Sequence, residues 1–162
     1  MKVKIKKLSP DAVIPVKAHT TDAGFDLTAI SRAVDRHGNI VYGTGLAFEI
    51  PQGFVGLVFP RSSISKVDMS LSNAVGVIDS GYRGEVTAKF KPSWQFDLSA
   101  LPFNAGDVDI TSIDDDSGCN IYRIGDRIAQ LIIIPYPEVE FTEAETLTTT
   151  DRGTGGYGST GK

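Results

Sequence analysis

The sequence IVYGTGLAFEI at residues 40–50 is followed by PQG at 51–53 and by FVGLVF at 54–59. Both apolar segments are rich in Val, Phe, Leu and Tyr, which favour β-strands, and Pro-Gln-Gly is a typical turn between strands. Segments of similar composition recur, with glycines between them, at 75–78, 86–90, 121–124 and 128–134. Many short strands separated by glycine turns predict an all-β domain, which is a sandwich, a jelly roll or a barrel.

The N-terminus and residues 60–66 complete this pattern. Val3 and Ile5 alternate with lysines, which predicts a strand with one solvent-exposed face. No stretch has helical periodicity over three turns, and the one short helix that we expect begins near Ser62.

Length and charge exclude several classes of protein. The chain has 162 residues and a net charge of −4, which fits one domain and gives no basic surface for direct nucleic-acid binding. Its apolar runs are too short to span a membrane, and no apolar block of a secretory signal follows the N-terminal lysines. The single cysteine, Cys119, permits no internal disulfide, so we expect a reducing, cytoplasmic environment.

Two segments depart from the strand pattern. Residues 91–123 are too long for a hairpin turn. They hold the aromatic residues Trp94, Phe96 and Phe103 and an acidic group of Asp107, Asp109, Asp114, Asp115 and Asp116. Residues 151–162, DRGTGGYGSTGK, have no apolar stripe, which predicts a tail that is mobile without ligand. We therefore expect one domain at 1–150, with 91–123 inserted in it, and a flexible lid at 151–162.

The tail has the groups needed to bind a nucleotide. Glycine amides can approach an anion, Arg152 adds a positive charge, and Ser159 and Thr160 add hydroxyls. Tyr157 offers a flat face to a base. The combination favours a phosphate-binding lid, and a flexible solubilising terminus is the alternative.

Two internal segments carry groups with more than one interpretation. A helix is predicted to begin after Arg61, with Ser62 or Ser63 as its N-cap. This helix start, with Arg61 beside it, is either an anion site or a plain capped turn. Asp79 leaves a strand at the following Ser-Gly turn, where it either deprotonates a water molecule or only forms the turn.

Charged residues inside apolar segments indicate a buried contact. Asp26 lies among apolar neighbours and Arg127 opens the last core strand, so the two can form a partly buried ion pair. His19, His37 and Cys119 lack partners at metal-ligand spacing. A metal, if used, would be Mg²⁺ that a phosphorylated substrate brings and that the protein holds largely through water.

Taken in order, five of these segments resemble the five motifs of trimeric dUTP diphosphatase (dUTPase). The matching segments, from the first motif to the fifth, are 23–27, 60–66, 76–84, 127–130 and 152–161. Asp79 and Arg127 are 127 − 79 = 48 positions apart, and the extra segment between them resembles the inserts of some bacteriophage dUTPases.

The resemblance implies a β jelly roll that assembles as a homotrimer with three shared active sites. One subunit would supply the first, second and fourth motifs, a second subunit the third motif, and a third subunit the tail. The implied reaction is Mg²⁺-dependent hydrolysis of dUTP to dUMP and pyrophosphate, which limits uracil incorporation into DNA and supplies dUMP for dTMP synthesis. Asp79 would activate the water that attacks the α-phosphorus in line.

The resemblance also implies the substrate contacts. The phosphates would be held by Arg61, Ser62, Ser63 and Gln130, with Arg127 in support and Asp26 anchoring the metal through water. Uracil would be recognised by the hairpin at 75–82, including the backbone of Val77 and Ile78, with Asn73 nearby. Tyr82 would pack on the deoxyribose and exclude a 2′-hydroxyl. Tyr157 would stack on uracil while the tail closes on the γ-phosphate through Arg152, Gly158, Ser159 and Thr160.

Several alternatives stay open at this point. Tyr157 stands where the family more often has Phe, and Ser63 stands where many members have Gly. Residues 91–123 are either a tolerated surface loop or a binding site for a protein partner. The alternative enzyme is a dCTP deaminase or a bifunctional relative, and the alternative class is a nucleotide-controlled regulatory protein that docks a repressor. A phage-encoded chain would act in the cytoplasm of its bacterial host.

Overall fold

The computed structural model describes residues 1–94, 106–110 and 120–156, and these residues form an antiparallel β-structure. The strands are β1 (Lys4–Lys7), β2 (Phe25–Thr28), β3 (Ser31–Val34), β4 (Ile40–Gly43), β5 (Leu46–Glu49), β6 (Phe54–Pro60), β7 (Met69–Leu71), β8 (Gly76–Ile78), β9 (Thr87–Pro92), β10 (Val108–Asp109) and β11 (Arg127–Pro135). In this described part, the only helical segment is a 3₁₀ helix, Ser62–Lys66.

The strands are arranged in three sheets. A four-stranded sheet has the order β2-β11-β6-β8, a five-stranded sheet has the order β10-β3-β4-β9-β7, and β1 pairs with β5. In the two larger sheets, most neighbouring strands are not consecutive in the chain. This is expected when the chain passes back and forth between two facing sheets. The predicted all-β jelly roll is confirmed.

One apolar core joins the two larger sheets. Leu27 and Leu131 from the four-stranded sheet belong to the same buried cluster as Tyr42 and Phe90 from the five-stranded sheet. The rings of Tyr42, Phe90 and Tyr122 pack edge to face, with centroids 5.6 to 6.2 Å apart. This packing holds the two sheets, and with them the strand ends that carry polar residues, in fixed positions.

Some of the local strand predictions are wrong. Residues 121–124 form no strand, because the chain turns there: the Asp126 carboxylate accepts the backbone N–H of Arg123 at 2.7 Å. Val75 and Val86 lie just outside β8 and β9. Apolar composition marks burial, and burial alone does not require a paired strand.

The predicted hairpin at 75–82 is also wrong. The turn itself is present, since the backbone N–H of Tyr82 donates to the carbonyl oxygen of Asp79 at 3.0 Å. The flanking strands belong to different sheets, however, because β8 pairs with β6 whereas β9 pairs with β4 and β7. The turn therefore connects the two sheets.

Only part of the segment 91–123 is described. Trp94 is half-buried and packs against the core, and β10 pairs with β3. The predictions for Phe96, Phe103, Asp114, Asp115, Asp116 and Cys119 concern residues outside the described ranges. Within those ranges, no helix is long and apolar enough to cross a membrane.

Candidate active site

A cleft of about 350 Å³ lies at one end of the four-stranded sheet. Its lining comes from three segments that are far apart in the sequence and comprises Ala18, Asp22, Ala23, Gly24, Asp26, Arg61, Ser62, Arg127, Gln130 and Ile132. The segments that resemble the first, second and fourth motifs therefore meet in one place on a single chain.

The order of the strands explains this convergence. β11 lies between β2 and β6, so that Gln130 stands opposite Asp26 on one side and Phe59 on the other. Gly24 allows the close approach of the glutamine, because a Cβ atom at this position would lie 2.5 Å from the Oε1 atom of Gln130. A larger residue at 24 would displace the amide from the cleft.

The centre of the cleft is an ion-pair cluster around Asp26. Arg61 Nε lies 2.8 Å from Oδ1 of this carboxylate, and Arg127 Nη1 lies 3.0 Å from Oδ2. Arg61 Nη1 also donates to the carbonyl oxygen of Arg127 at 3.2 Å. The predicted pair of Asp26 and Arg127 is present, and Arg61 completes it. The three side chains carry one excess positive charge, which suits an anion.

The two serines of the second segment are placed differently from the prediction. Ser62 lines the cleft, but neither serine is the N-cap of the 3₁₀ helix: Arg61 occupies that position without a side-chain capping bond. Ser63 Oγ lies 3.4 Å from Arg61 Nη1. The helix is a single short turn, so the anion-binding groups of this segment are the guanidinium and hydroxyls.

Asp79 and Tyr82 do not reach this cleft within the chain. Ile78 stands opposite Gly56 on β6, whereas Arg61 follows that strand's far end, five residues further along. At about 3.3 Å per residue, the two positions are roughly 17 Å apart. Asp79 continues in the opposite direction and is exposed. Among the described residues, one chain thus brings together three of the five segments.

The groups around Asp79 form a surface of their own. Tyr82 is 45% exposed and its hydroxyl donates to the carbonyl oxygen of Glu85 at 3.0 Å. Arg83 Nη1 donates to the carbonyl oxygen of Ser80 at 2.7 Å, which braces the turn. The side chain of Val77 is 61% exposed, and Asn73 is exposed as well.

Backbone strain accompanies the segment before β8. Ala74, next to Asn73, has a φ of 59°, a left-handed conformation that is unfavourable for a residue other than glycine. The carbonyl oxygen of Asn73 accepts the backbone N–H of Val75 at 2.6 Å. Such strain persists where the surrounding structure fixes the chain, as at ligand sites.

The tail is described only at its beginning. Arg152 is exposed and its Nε donates to the carbonyl oxygen of Gly155 at 3.0 Å. The predictions for Tyr157, Gly158, Ser159 and Thr160 concern residues outside the described part of the chain.

Two polar residues at the site were not predicted from the sequence. Asp22 lines the cleft and its Oδ2 accepts the backbone N–H of His19 at 2.8 Å. Tyr122 places its hydroxyl 3.1 Å from Ser63 Oγ. The position of Asp22, directly before the first motif, was an available signal. Nothing in the apolar stretch around Tyr122 indicated that its hydroxyl leaves the core.

The cleft contains few groups of the kind that bind a metal directly. In the ranges that the structure describes, no three or more His, Cys, Asp or Glu side chains form a group that could hold an ion. Each oxygen of Asp26 accepts one guanidinium bond and keeps a lone pair, so it can accept a further hydrogen bond from a metal-bound water.

Comparison with known proteins agrees with this geometry. The model of the dUTPase family matches residues 11–98 and 105–161. The deoxyuridine 5′-triphosphate nucleotidohydrolase of Rhodococcus erythropolis is 38% identical over 163 residues, which cover 99% of this chain and 87% of the relative.

Solved structures of phage proteins share the fold. A mutant dUTPase of Staphylococcus bacteriophage 80alpha with dUpNHpp has a TM-score of 0.76 and 27% identity, with 99% of both chains covered. A mutant dUTPase from phage phi11 of S. aureus, described with a coordinated structural Mg(II) ion, has a TM-score of 0.66 and 26% identity over 90% of this chain and 98% of that chain. Because the family match includes all five segments, the chain belongs to the dUTPase family and is an enzyme of that family.

Proposed function

We propose that this protein hydrolyses dUTP to dUMP and pyrophosphate. The observation that carries the proposal is the convergence of the first, second and fourth motifs on one cleft, where Arg61 and Arg127 flank Asp26. This is an arrangement for a polyanion beside a carboxylate, as nucleotide hydrolysis requires.

The chemical step needs a base and a fixed phosphate chain. Asp79 accepts a proton from a water molecule, whose oxygen attacks the α-phosphorus in line. The bond from this phosphorus to the bridging oxygen breaks, and pyrophosphate leaves with the electron pair. Arg61, Ser62, Ser63 and Gln130 hold the phosphates, so that positioning and charge neutralisation supply most of the stabilisation. Arg127 supports this network through Asp26.

The donor groups of the cleft fit a hydrated Mg²⁺ ion brought by the triphosphate. Asp22 and Asp26 balance the charges of Arg61 and Arg127, so the cleft suits a metal-bound triphosphate better than a bare one. Asp26 would hold the ion through water, since guanidinium groups already occupy one acceptor site on each of its oxygens. When bound, Mg²⁺ neutralises charge on the phosphates.

A homotrimer with shared sites accounts for the position of Asp79. Within one chain this carboxylate lies more than roughly 17 Å from Arg61 along β6, which supports a base that comes from another subunit. The segment after β11 supports exchange between subunits as well: it is exposed throughout residues 136–150, including Phe141 at 94% and Leu147 at 87%. Side chains of this type are normally covered in the assembled protein.

The third and fifth motifs select the base and the sugar of the nucleotide. Backbone groups of Val77 and Ile78, with Asn73, recognise uracil, and Tyr82 packs on the deoxyribose without room for a 2′-hydroxyl. The tail then closes over the nucleotide, with Tyr157 on uracil and with Arg152, Gly158, Ser159 and Thr160 at the γ-phosphate. Closure excludes bulk water and completes the site.

Two further proposals concern the protein's setting. Residues 91–123 offer a surface for a protein partner, supported by the exposed carboxylate of Asp107. Deleting residues 93–118 without any effect on phage or host interactions would overturn it. The single cysteine supports a cytoplasmic location, which is the bacterial host's cytoplasm if the chain is phage-encoded.

Pyrophosphate release tests the central proposal. With Mg²⁺ present, dUTP is compared with dCTP, dTTP and UTP, and Asp79→Asn is assayed beside the wild type. We expect release from dUTP alone and a loss of at least about a hundredfold in kcat for the variant, because a positioned base contributes that much. Binding of dUTP without release would overturn the enzymatic proposal and favour a regulatory protein. Ammonia from dCTP without pyrophosphate would favour the deaminase, and ammonia with pyrophosphate would favour the bifunctional relative.

A further inference from the structure

Tyr122 connects the apolar core to the phosphate side of the cleft. Its side chain is 4% exposed, and its ring packs edge to face on Tyr42 and Phe90. The hydroxyl, however, lies 3.1 Å from Ser63 Oγ, and either oxygen can donate. Because the ring of Tyr122 is buried and its hydroxyl contacts Ser63, a candidate phosphate-binding residue, Tyr122 is well suited to hold the Ser63 side chain in place.

The contact continues from Ser63 to the ion-pair cluster. Ser63 Oγ also accepts a hydrogen bond from Arg61 Nη1 at 3.4 Å, and Arg61 Nε is bound to Asp26. The serine hydroxyl therefore stands between a rigid aromatic side chain and a guanidinium. The hydrogen bond with the buried Tyr122 restricts the rotamers of Ser63. Because Arg61 donates to the same hydroxyl, the position of its guanidinium is restricted as well.

The backbone around Tyr122 is held in the same place. Asp68, just after the 3₁₀ helix, donates its N–H to the carbonyl oxygen of Asn120 at 2.7 Å, and its carboxylate accepts the N–H of Asn120 at 3.0 Å. The helix and the chain after it are thus tied to residues 120–122, by Ser63 within the helix and by Asp68 beyond its end. The hydroxyl of Tyr122 cannot drift away from Ser63 without breaking these bonds.

We propose that Tyr122 is a positioning residue of the active site: its hydroxyl orients Ser63 and, through Ser63, the guanidinium of Arg61 toward the phosphates of the nucleotide. The inference rests on the proposed function, because it assigns Ser63 and Arg61 to the phosphates. It adds a residue from outside the five motifs to the machinery that binds the substrate.

The test is Tyr122→Phe, which removes the hydroxyl and keeps the ring packing. We expect KM for dUTP to rise about fivefold, with kcat within about twofold, as for the loss of one net hydrogen bond. In the Ser63→Ala background the same substitution should have no further effect on KM, because its target is gone.

Thr44→Val is the matched control. Thr44 is fully buried and its hydroxyl donates to the carbonyl oxygen of Val86 at 2.6 Å, away from the cleft. Its loss should lower the melting temperature and leave KM unchanged, which separates loss of a buried hydroxyl from loss of positioning.

Three outcomes would overturn the inference while wild-type turnover is normal: an unchanged KM in Tyr122→Phe, an equal rise of KM in the Ser63→Ala background, or the same rise in Thr44→Val. A wild-type protein that neither hydrolyses nor binds dUTP would instead refute the proposed function, and the inference would fall with it.

Discussion

The carboxylate of Asp35 is buried in the turn between β3 and β4, where its side chain is 4% exposed. It accepts the backbone N–H groups of His37 and Asn39 at 2.9 Å and pairs with Lys89 Nζ at 2.9 Å. Burial alone would raise the pKa of Asp35, but the hydrogen bonds from Lys89, Asn39 and His37 outweigh it and hold this pKa well below its ordinary value. Each of these bonds favours the charged form.

Acid stability should depend on this residue. Because the pKa is lower in the folded state than in the unfolded state, the stabilisation is complete above about pH 4 and is lost as the pH falls further. Asp35→Asn should therefore reduce the free energy of unfolding at neutral pH by about 1–3 kcal/mol and flatten its decline in acid. Urea unfolding at pH 7 and at about pH 3 measures both effects.

The matched control is Glu49→Gln. Glu49 pairs with Lys4 at the similar distance of 2.8 Å, but its side chain is 47% exposed. Water and salt screen such a pair, so the control should change stability little. The prediction would be contradicted if the free energy of unfolding declined equally in Asp35→Asn and in the wild type between neutral and acid pH.

At the scale of elements, β1 and the segment after β11 have complementary patterns. Among the described strands β1 pairs with β5 alone, which leaves its other edge open. Exposed lysines at 4 and 6 alternate with Val3 and Ile5, which line an apolar cavity of about 360 Å³. Residues 138–141, EVEF, alternate acidic and apolar side chains in the same way. Strand addition between subunits would match both patterns.

Charge reversal tests this pairing. Glu138→Lys with Glu140→Lys should weaken the assembly, and Lys4→Glu with Lys6→Glu should do the same, because like charges then face each other across the strands. The combination of all four substitutions should restore it. Sedimentation velocity at decreasing protein concentration reports the assembly, and failure of the fourfold variant to recover would refute the pairing.

Some contacts of the cleft could be predicted from the sequence, and others depend on the order of the strands. The ion pair of Asp26 and Arg127 was predictable, because a charge in an apolar strand needs a partner. The role of Arg61 as second partner depends on β11 lying between β2 and β6, and strand order has no local signal. The same holds for Tyr122, whose neighbours predicted a strand. It also holds for the N-cap of the 3₁₀ helix, where Ser62 or Ser63 was expected but Arg61 occupies the position.

For the whole molecule, the separation of Asp79 from the cleft predicts complementation between subunits. Asp79→Asn and Arg61→Gln should each be inactive as pure proteins. When equal amounts are unfolded together and reassembled, about a quarter of wild-type activity should return, because in the proposed shared site the arginine and the aspartate come from different chains. The assay is pyrophosphate release from dUTP.

The control for complementation is the same mixture without unfolding, in which we expect the preformed assemblies to keep their chains and stay inactive. Activity that remains at the background level after reassembly, although wild-type protein recovers under identical conditions, would mean that both residues act within one chain. That result would reject the shared site and leave the family assignment intact.

The ladder between β2 and β11 pairs Asp26 with Gln130, residues that are 130 − 26 = 104 positions apart. During synthesis, β2 leaves the ribosome long before β11, and its backbone groups facing β11 stay unpaired until β11 is made. Contacts of such long range make folding slow, on the order of milliseconds to seconds. The cleft therefore forms late, when the last strand is made. A chain interrupted before β11 lacks the cleft around Asp26 and retains an open strand edge prone to aggregation.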